Sequence, residues 1–139
     1  MKKIILMLGI VIISLCSFAG TPPLAVQKAF EQKFPNATKV SWDMENKTEW
    51  EADFTFNEKK LSANFSVDGL WVETEQKINV SEFPKAVTDA IQKKYPEWKI
   101  TEADRTESAK NGLIYEADMK SGTQKKEVAF KEDGSAIIE

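Results

Sequence analysis

Two stretches of this sequence are one stretch written twice, and a chain that repeats itself is read as copies of a single folded unit. Pro23-Leu-Ala-Val-Gln-Lys-Ala-Phe-Glu-Gln-Lys-Phe-Pro35 aligns with Pro84-Lys-Ala-Val-Thr-Asp-Ala-Ile-Gln-Lys-Lys-Tyr-Pro96 at an offset of 61 residues. Further on, Trp50-Glu-Ala-Asp53 matches Tyr115-Glu-Ala-Asp118, and Phe65-Ser-Val-Asp-Gly69 matches Phe130-Lys-Glu-Asp-Gly134, both at an offset of 65. The four extra residues fall around Thr106 to Gly112, where Ser108-Ala-Lys-Asn-Gly112 reads as a longer loop. Three matches in one order fix the two copies.

Each copy opens with a helix. In the first, Val26, Ala29, Phe30 and Phe34 recur at helical spacing, with Thr21 as the expected N-cap and Pro22 just inside the start. In the second, Ser81 is the expected cap, and Val87, Ala90, Ile91 and Tyr95 keep the same spacing. Pro35 and Pro96 stop both helices, because the residue before a proline is pushed out of the helical region. The period then switches to two: Val40, Trp42 and Met44 alternate with polar residues, as do Trp50, Ala52, Phe54 and Phe56, then Leu61, Ala63, Phe65 and Val67. The second copy repeats this with Tyr115, Ala117 and Met119, then Val128 and Phe130, then Ala136 to Glu139. Asn57 to Lys60, Ser121 to Gln124, Asp68-Gly69 and Asp133-Gly134 are the turns between strands. Clean alternation means a sheet covered on one face and wet on the other.

A unit of ~60 residues buries too little surface to be secure alone. The expected fold class is therefore α+β: two tandem α-β-β-β-β repeats, residues 22–78 and 83–139, forming one antiparallel sheet with both helices on one face. They make a single domain over residues 20–139.

Residues 1–19 stand apart. Lys2 and Lys3 precede an apolar run from Ile4 to Leu15, and Ser17-Phe18-Ala19 offers small residues where a signal peptidase reads, so cleavage is expected after Ala19. The run is shorter than a membrane helix needs. Cys16 raises a second route, lipidation, but Leu15 stands where a lipoprotein site has a small residue. Cleavage after Ala19 removes the sole cysteine, so a packed core and not disulfides must hold the mature chain. The expectation is a periplasmic or secreted monomer, attached to a membrane only if lipidated at Cys16. Without Lys2 and Lys3 the chain keeps 17 basic residues against 22 acidic ones, a net charge of −5. That speaks against nucleic acid, whose phosphates call for clustered cations; it suits a basic partner, and it is equally the charge that solubility alone asks for. Arg105 is the sole arginine.

The order of these elements, with Lys-aromatic-Pro closing each helix, the aromatic-Glu-Ala-Asp strand and the Asp-Gly hairpin, resembles the PepSY-like family of small exported bacterial proteins. That family is also described as similar to β-lactamase-inhibitor proteins, which are tandem helix-plus-four-strand repeats. The resemblance spans residues 21–139 and implies an envelope or secreted location and a non-catalytic binding role, inhibitory in some members. It carries no functional residues over to particular positions here.

The chemistry on hand is narrow. The chain contains no histidine, so the commonest general base and metal ligand is missing. No glycine-rich phosphate loop appears, and no catalytic residue, metal ligand or cofactor is expected. Glu51 and Asp53, with Glu116 and Asp118 in the second copy, fall on alternate strand positions opposite Trp50 and Tyr115. Paired carboxylates can bind calcium or do acid/base work, whereas a solvated face whose acids pair with lysines such as Lys60 or Lys126 is the plainer account. Trp71, flanked by Leu70 and Val72, points to the face opposite theirs: it is either an exposed anchor on that outer face or part of a second minor cluster packed against a terminal segment. Trp71, Glu51, Asp53, Glu116 and Asp118 thus form the expected partner-binding surface. Its expected ligand is a protein in the envelope or outside the cell; the alternative is a small envelope ligand such as a glycan or a metal ion.

Overall fold

The computed structural model describes residues 20–137. The expected leader, the cleavage expected after Ala19, and Cys16 lie outside the described residues, as do Ile138 and Glu139. In chain order the elements are α1 (Leu24–Lys33), β1 (Thr38–Asn46), β2 (Glu49–Phe56), β3 (Lys59–Ser66), β4 (Trp71–Lys77), a 3-10 turn (Val80–Glu82), α2 (Lys85–Lys94), β5 (Lys99–Ser108), β6 (Gly112–Ser121) and β7 (Gln124–Lys131). The strands form one sheet in the order β1-β2-β3-β4-β5-β6-β7, and every neighbouring pair is antiparallel.

The helices begin later than their sequence caps suggest. Pro23 and Pro84 hold the N-cap positions with extended backbones and no side-chain cap, so Thr21 does not cap α1. Ser81 sits instead in the 3-10 turn, where Asn79 and Glu82 form a capping box. A proline backbone suits the extended cap conformation, and its carbonyl still accepts: Val26 and Gln27 N–H donate to Pro23 O, Val87 and Thr88 N–H to Pro84 O. At the other end, Phe34 N–H donates to Phe30 O at 2.8 Å and Tyr95 N–H to Ile91 O at 2.7 Å, one residue before each stopping proline.

Two glycines explain why the copies share Asp-Gly and Ala-Val. Gly69 has φ +85° and Gly134 φ +82°, and a Cβ on them would meet the Ala25 carbonyl oxygen at 2.7 Å and that of Ala86 at 2.5 Å. Each turn is thus pressed against the first turn of its own helix, where only glycine fits. The β2–β3 hairpin turns on Asn57 and Glu58, both at positive φ as a two-residue turn requires.

Each helix buries its apolar side against its own strands. Val26, Phe30 and Phe34 pack with Trp50, Ala52, Phe54, Ala63 and Phe65. Val87 and Ile91 pack with Phe83, Ala103, Tyr115, Ala117, Met119 and Phe130. The pairs Ala52–Ala63, Ala63–Thr74, Thr74–Glu107 and Glu107–Leu113 run across the sheet on one side, so both cores and both helices share a face. The expected α+β architecture stands, with one difference. Among the described residues the fourth strand of the second copy is represented by a single bridge, Phe130–Ala136, in the place of Phe65–Trp71. β4 is held on both sides, by β3 and β5, whereas among the described residues the segment after Gly134 pairs with β7 alone.

Candidate functional site: an acidic hollow on the outer sheet face

The face turned away from the helices is set by register. The pairs Asp43–Glu51, Glu51–Asn64 and Asn64–Glu73 lie on it, as do Asp53–Ser62, Ser62–Glu75 and Glu75–Thr106. Across the second copy Lys77–Asp104, Asp104–Glu116, Glu102–Asp118 and Asp118–Glu127 continue the same side. Asn64, Thr106 and Ile114 are buried there although both helices lie on the opposite face, so side chains of the outer face shelter one another. On it lies a hollow of about 270 Å³ lined by Glu75, Lys77, Glu102, Asp104, Glu116, Asp118 and Glu127.

The four acids expected on this face, Glu51, Asp53, Glu116 and Asp118, are on it. Glu116 and Asp118 line the hollow itself, while Glu51 and Asp53 stand beside it on β2. Trp71 is not on it. A bulge between Asn64 and Phe65 sets Trp71 opposite the core residue Phe65 and leaves Val72 as the extra residue. The indole is therefore on the helix side, packed against the first core, with Lys33 Nζ 3.7 Å from the ring centroid and its N–H donating to Thr74 Oγ1 at 2.9 Å. Truncating Trp71 removes packing from the core and not a free anchor. Lys126 is likewise on the helix side, over Tyr95 and Trp98, so it does not pair the outer acids. Glu75, Asp104 and Glu127 complete the surface and were not singled out from sequence. The alternation Glu73-Thr-Glu75-Gln-Lys77 was the signal for Glu75, hidden until β4 is known to pair with β5.

Like charges in a sheltered face raise one another's proton affinity. Burial, then the charges of Asp53, Glu45, Asp43 and Glu73, push Glu51 up to about 7. Burial, then Glu73, Glu116, Asp104 and Glu51, push Glu75 up to about 8. Burial also raises Asp104, against the pull of Lys77. The basic counterweight is Lys77, whose ammonium donates to Glu102. The Thr106 hydroxyl donates to Glu116 Oε2. Among the described residues no group of three or more His, Cys, Asp or Glu is arranged to hold a metal ion.

A pH dependence follows with a definite sign. Carboxyls whose folded pKa lies above the ordinary value of 4.5 bind protons better in the folded state, so stability is fullest below 4.5 and falls as pH rises through about 7 to 8. Melting temperature should therefore drop between pH 5 and pH 8.5, and the slope should flatten in Glu75→Gln. A slope unchanged by that substitution would mean that Glu75 does not carry the effect.

The comparisons with known proteins agree with this architecture. No curated protein sequence is close enough to count as a relative. Among solved structures, a BLIP-like protein from Bacteroides fragilis superposes with a TM-score of 0.71 at 22% identity, covering 86% of this chain and 85% of that one. A protein from Bacteroides eggerthii described as a candidate periplasmic protein gives 0.72 at 21%, covering 86% and 88%. At such identities the likeness is one of fold. The sequence itself matches, over residues 48–137, the profile of the family described as beta-lactamase-inhibitor-like and PepSY-like. With both cores, the paired Asp-Gly turns and this match in agreement, the chain belongs to the PepSY-like family.

Proposed function

We propose that the chain is an exported, non-catalytic binding module that engages a basic protein surface through the acidic outer face of its sheet. The observation that carries this reading is the hollow lined by Glu75, Asp104, Glu116, Asp118 and Glu127, left open while the other face is consumed by the helices. Carboxylates raised first by burial and then by the charges of their neighbours hold repulsion that a lysine- or arginine-bearing partner relieves, and its arrival expels their protons. A small apolar ligand wants apolar walls, which this hollow lacks. Export is supported by the leader at residues 1–19 and by the fold it shares with a candidate periplasmic protein. The absence of histidine from the sequence, and of cysteine after Cys16, supports binding over catalysis.

The test compares residues 20–139 with the double variant Glu75→Lys, Asp104→Lys as bait for envelope proteins of the source cell, followed by cross-link mapping. Capture should fall at least ~10-fold in the variant, weaken with added salt, and cross-link to outer-face residues of β4 to β6. A partner retained equally by the variant, or cross-linked to α1 or α2, would overturn the reading.

A further inference from the structure

The two copies differ in one place where the fold supplies its own control. β5 is flanked on its far side by β4, in the pairs Lys77–Asp104, Gln76–Arg105 and Glu75–Thr106. The chain then continues along the same edge: Ile78 N–H donates to Ala103 O at 2.9 Å, and the Ile78 side chain packs on the second core. The 3-10 turn Val80–Glu82 follows beside β5, and Phe83 closes the end as a buried ring.

β1 is the counterpart of β5. Trp42 pairs with Ala52 and Ala103 with Ala117, the two alanines of the repeated aromatic-Glu-Ala-Asp motif. Trp42 therefore corresponds to Ala103, and Asp43 to Asp104. Yet β1 ends the sheet, and nothing pairs with its far side among the described residues. Beside it, between β1 and α1, lies a groove of about 290 Å³ walled by Phe30, Phe34, Ala37, Val40 and Trp42. Ala37 stands where the second copy has Trp98, whose indole packs onto the second core, so the first copy's groove stays open. Val40 is 39% exposed and Met44 38%, large apolar side chains on an open edge. Asp43 Oδ1 is buried with no hydrogen-bond partner among the described residues. At the matching position Asp104 has Lys77 across from it.

We propose that the far edge of β1 and the adjoining α1 groove are the seat for one extended strand of a protein partner, antiparallel to β1, with a lysine followed by an aliphatic residue. The lysine lies across from Asp43 and the aliphatic side chain enters the groove beside Trp42. In the same way Lys77 lies across from Asp104, with its ammonium donating to Glu102, and Ile78 packs on the second core. Strand addition supplies backbone hydrogen bonds for affinity, and alternate side chains give selectivity. The seat is short: bulges between Thr38 and Ser41 and between Met44 and Asn46 leave Ser41 to Met44 as the regular run. Such bulges keep an open edge from pairing indiscriminately. This edge lies apart from the hollow, so it can bind or fail to bind whatever the fate of the proposed outer-face reading.

The probe is a peptide copying residues 72–83, Val-Glu-Thr-Glu-Gln-Lys-Ile-Asn-Val-Ser-Glu-Phe, titrated into ¹⁵N-labelled protein of residues 20–139. Amide shifts should move along Val40 to Glu45 and at Phe30 and Ala37. Asp43→Asn should weaken binding about 10-fold, and a peptide with glutamate for its lysine, which leaves the protein untouched, should not bind. Val40→Lys should block the groove. Shifts along β5, meaning exchange with β4, or around Glu75 and Asp104, or no shifts at all, would overturn the proposal. So would a self-associated dimer that closes the β1 edge at the working concentration.

Discussion

Phe30→Ala should cost the protein about 4 kcal/mol, the middle of the range for emptying a ring-sized space in a core. Phe30 is the hub of the first core, 5.5 Å from Phe34, 5.1 Å from Trp42, 4.9 Å from Phe54 and 6.2 Å from Phe65 between centroids. Its edge-to-face partners stand on three different strands and cannot collapse together into the gap. Against a total stability of roughly 5–15 kcal/mol, the loss should be plain as an earlier urea midpoint by circular dichroism. At the equivalent position in the second copy stands Ile91, whose cluster relies instead on Met119, Tyr115 and Phe130. A loss below ~1 kcal/mol would mean that this ring cluster is not what holds α1 to the sheet.

Gly134→Ala should cost about 3 kcal/mol, and Gly69→Ala nearly as much. Two penalties add at each site: a left-handed backbone that alanine resists, and a Cβ driven against the carbonyl of Ala86 or Ala25. Carbonyls in the first turn of a helix cannot swing aside without breaking the hydrogen bonds they accept. Gly122 is the control, with φ +58° but nothing within 4 Å of its Cβ, so Gly122→Ala should cost only about 1 kcal/mol. Equal melting temperatures for Gly122→Ala and Gly134→Ala would show that the contact with the helix carries no strain.

Most of the architecture could be read from sequence because repetition, turn chemistry and alternation are local and agree with one another. The Asp-Gly and Ala-Val pairs recur because they touch each other in three dimensions, which the repeat revealed without saying why. Trp71 was misread because parity was counted from Leu70 and Val72, and a single bulged residue reverses parity for everything before it. The helix caps were misread because a side-chain signal at Thr21 or Ser81 was preferred to the prolines nearer the helices. The acids of the second copy and of β2 were placed on the correct face, yet the hollow was not foreseen. It depends on β4 pairing with β5, a contact between the copies that no pattern within either copy encodes.

That ladder between β4 and β5 also bears on how fast the molecule assembles. Every strand finds its partner next along the chain, and each helix packs on strands of its own copy. Loop-closure entropy is paid in small instalments, with no distant segment to wait for, which places the chain among the quicker folders of β-rich topology. With each pairing closing only a short loop, such a route shortens the time for which strand edges stand open to other chains while the sheet assembles.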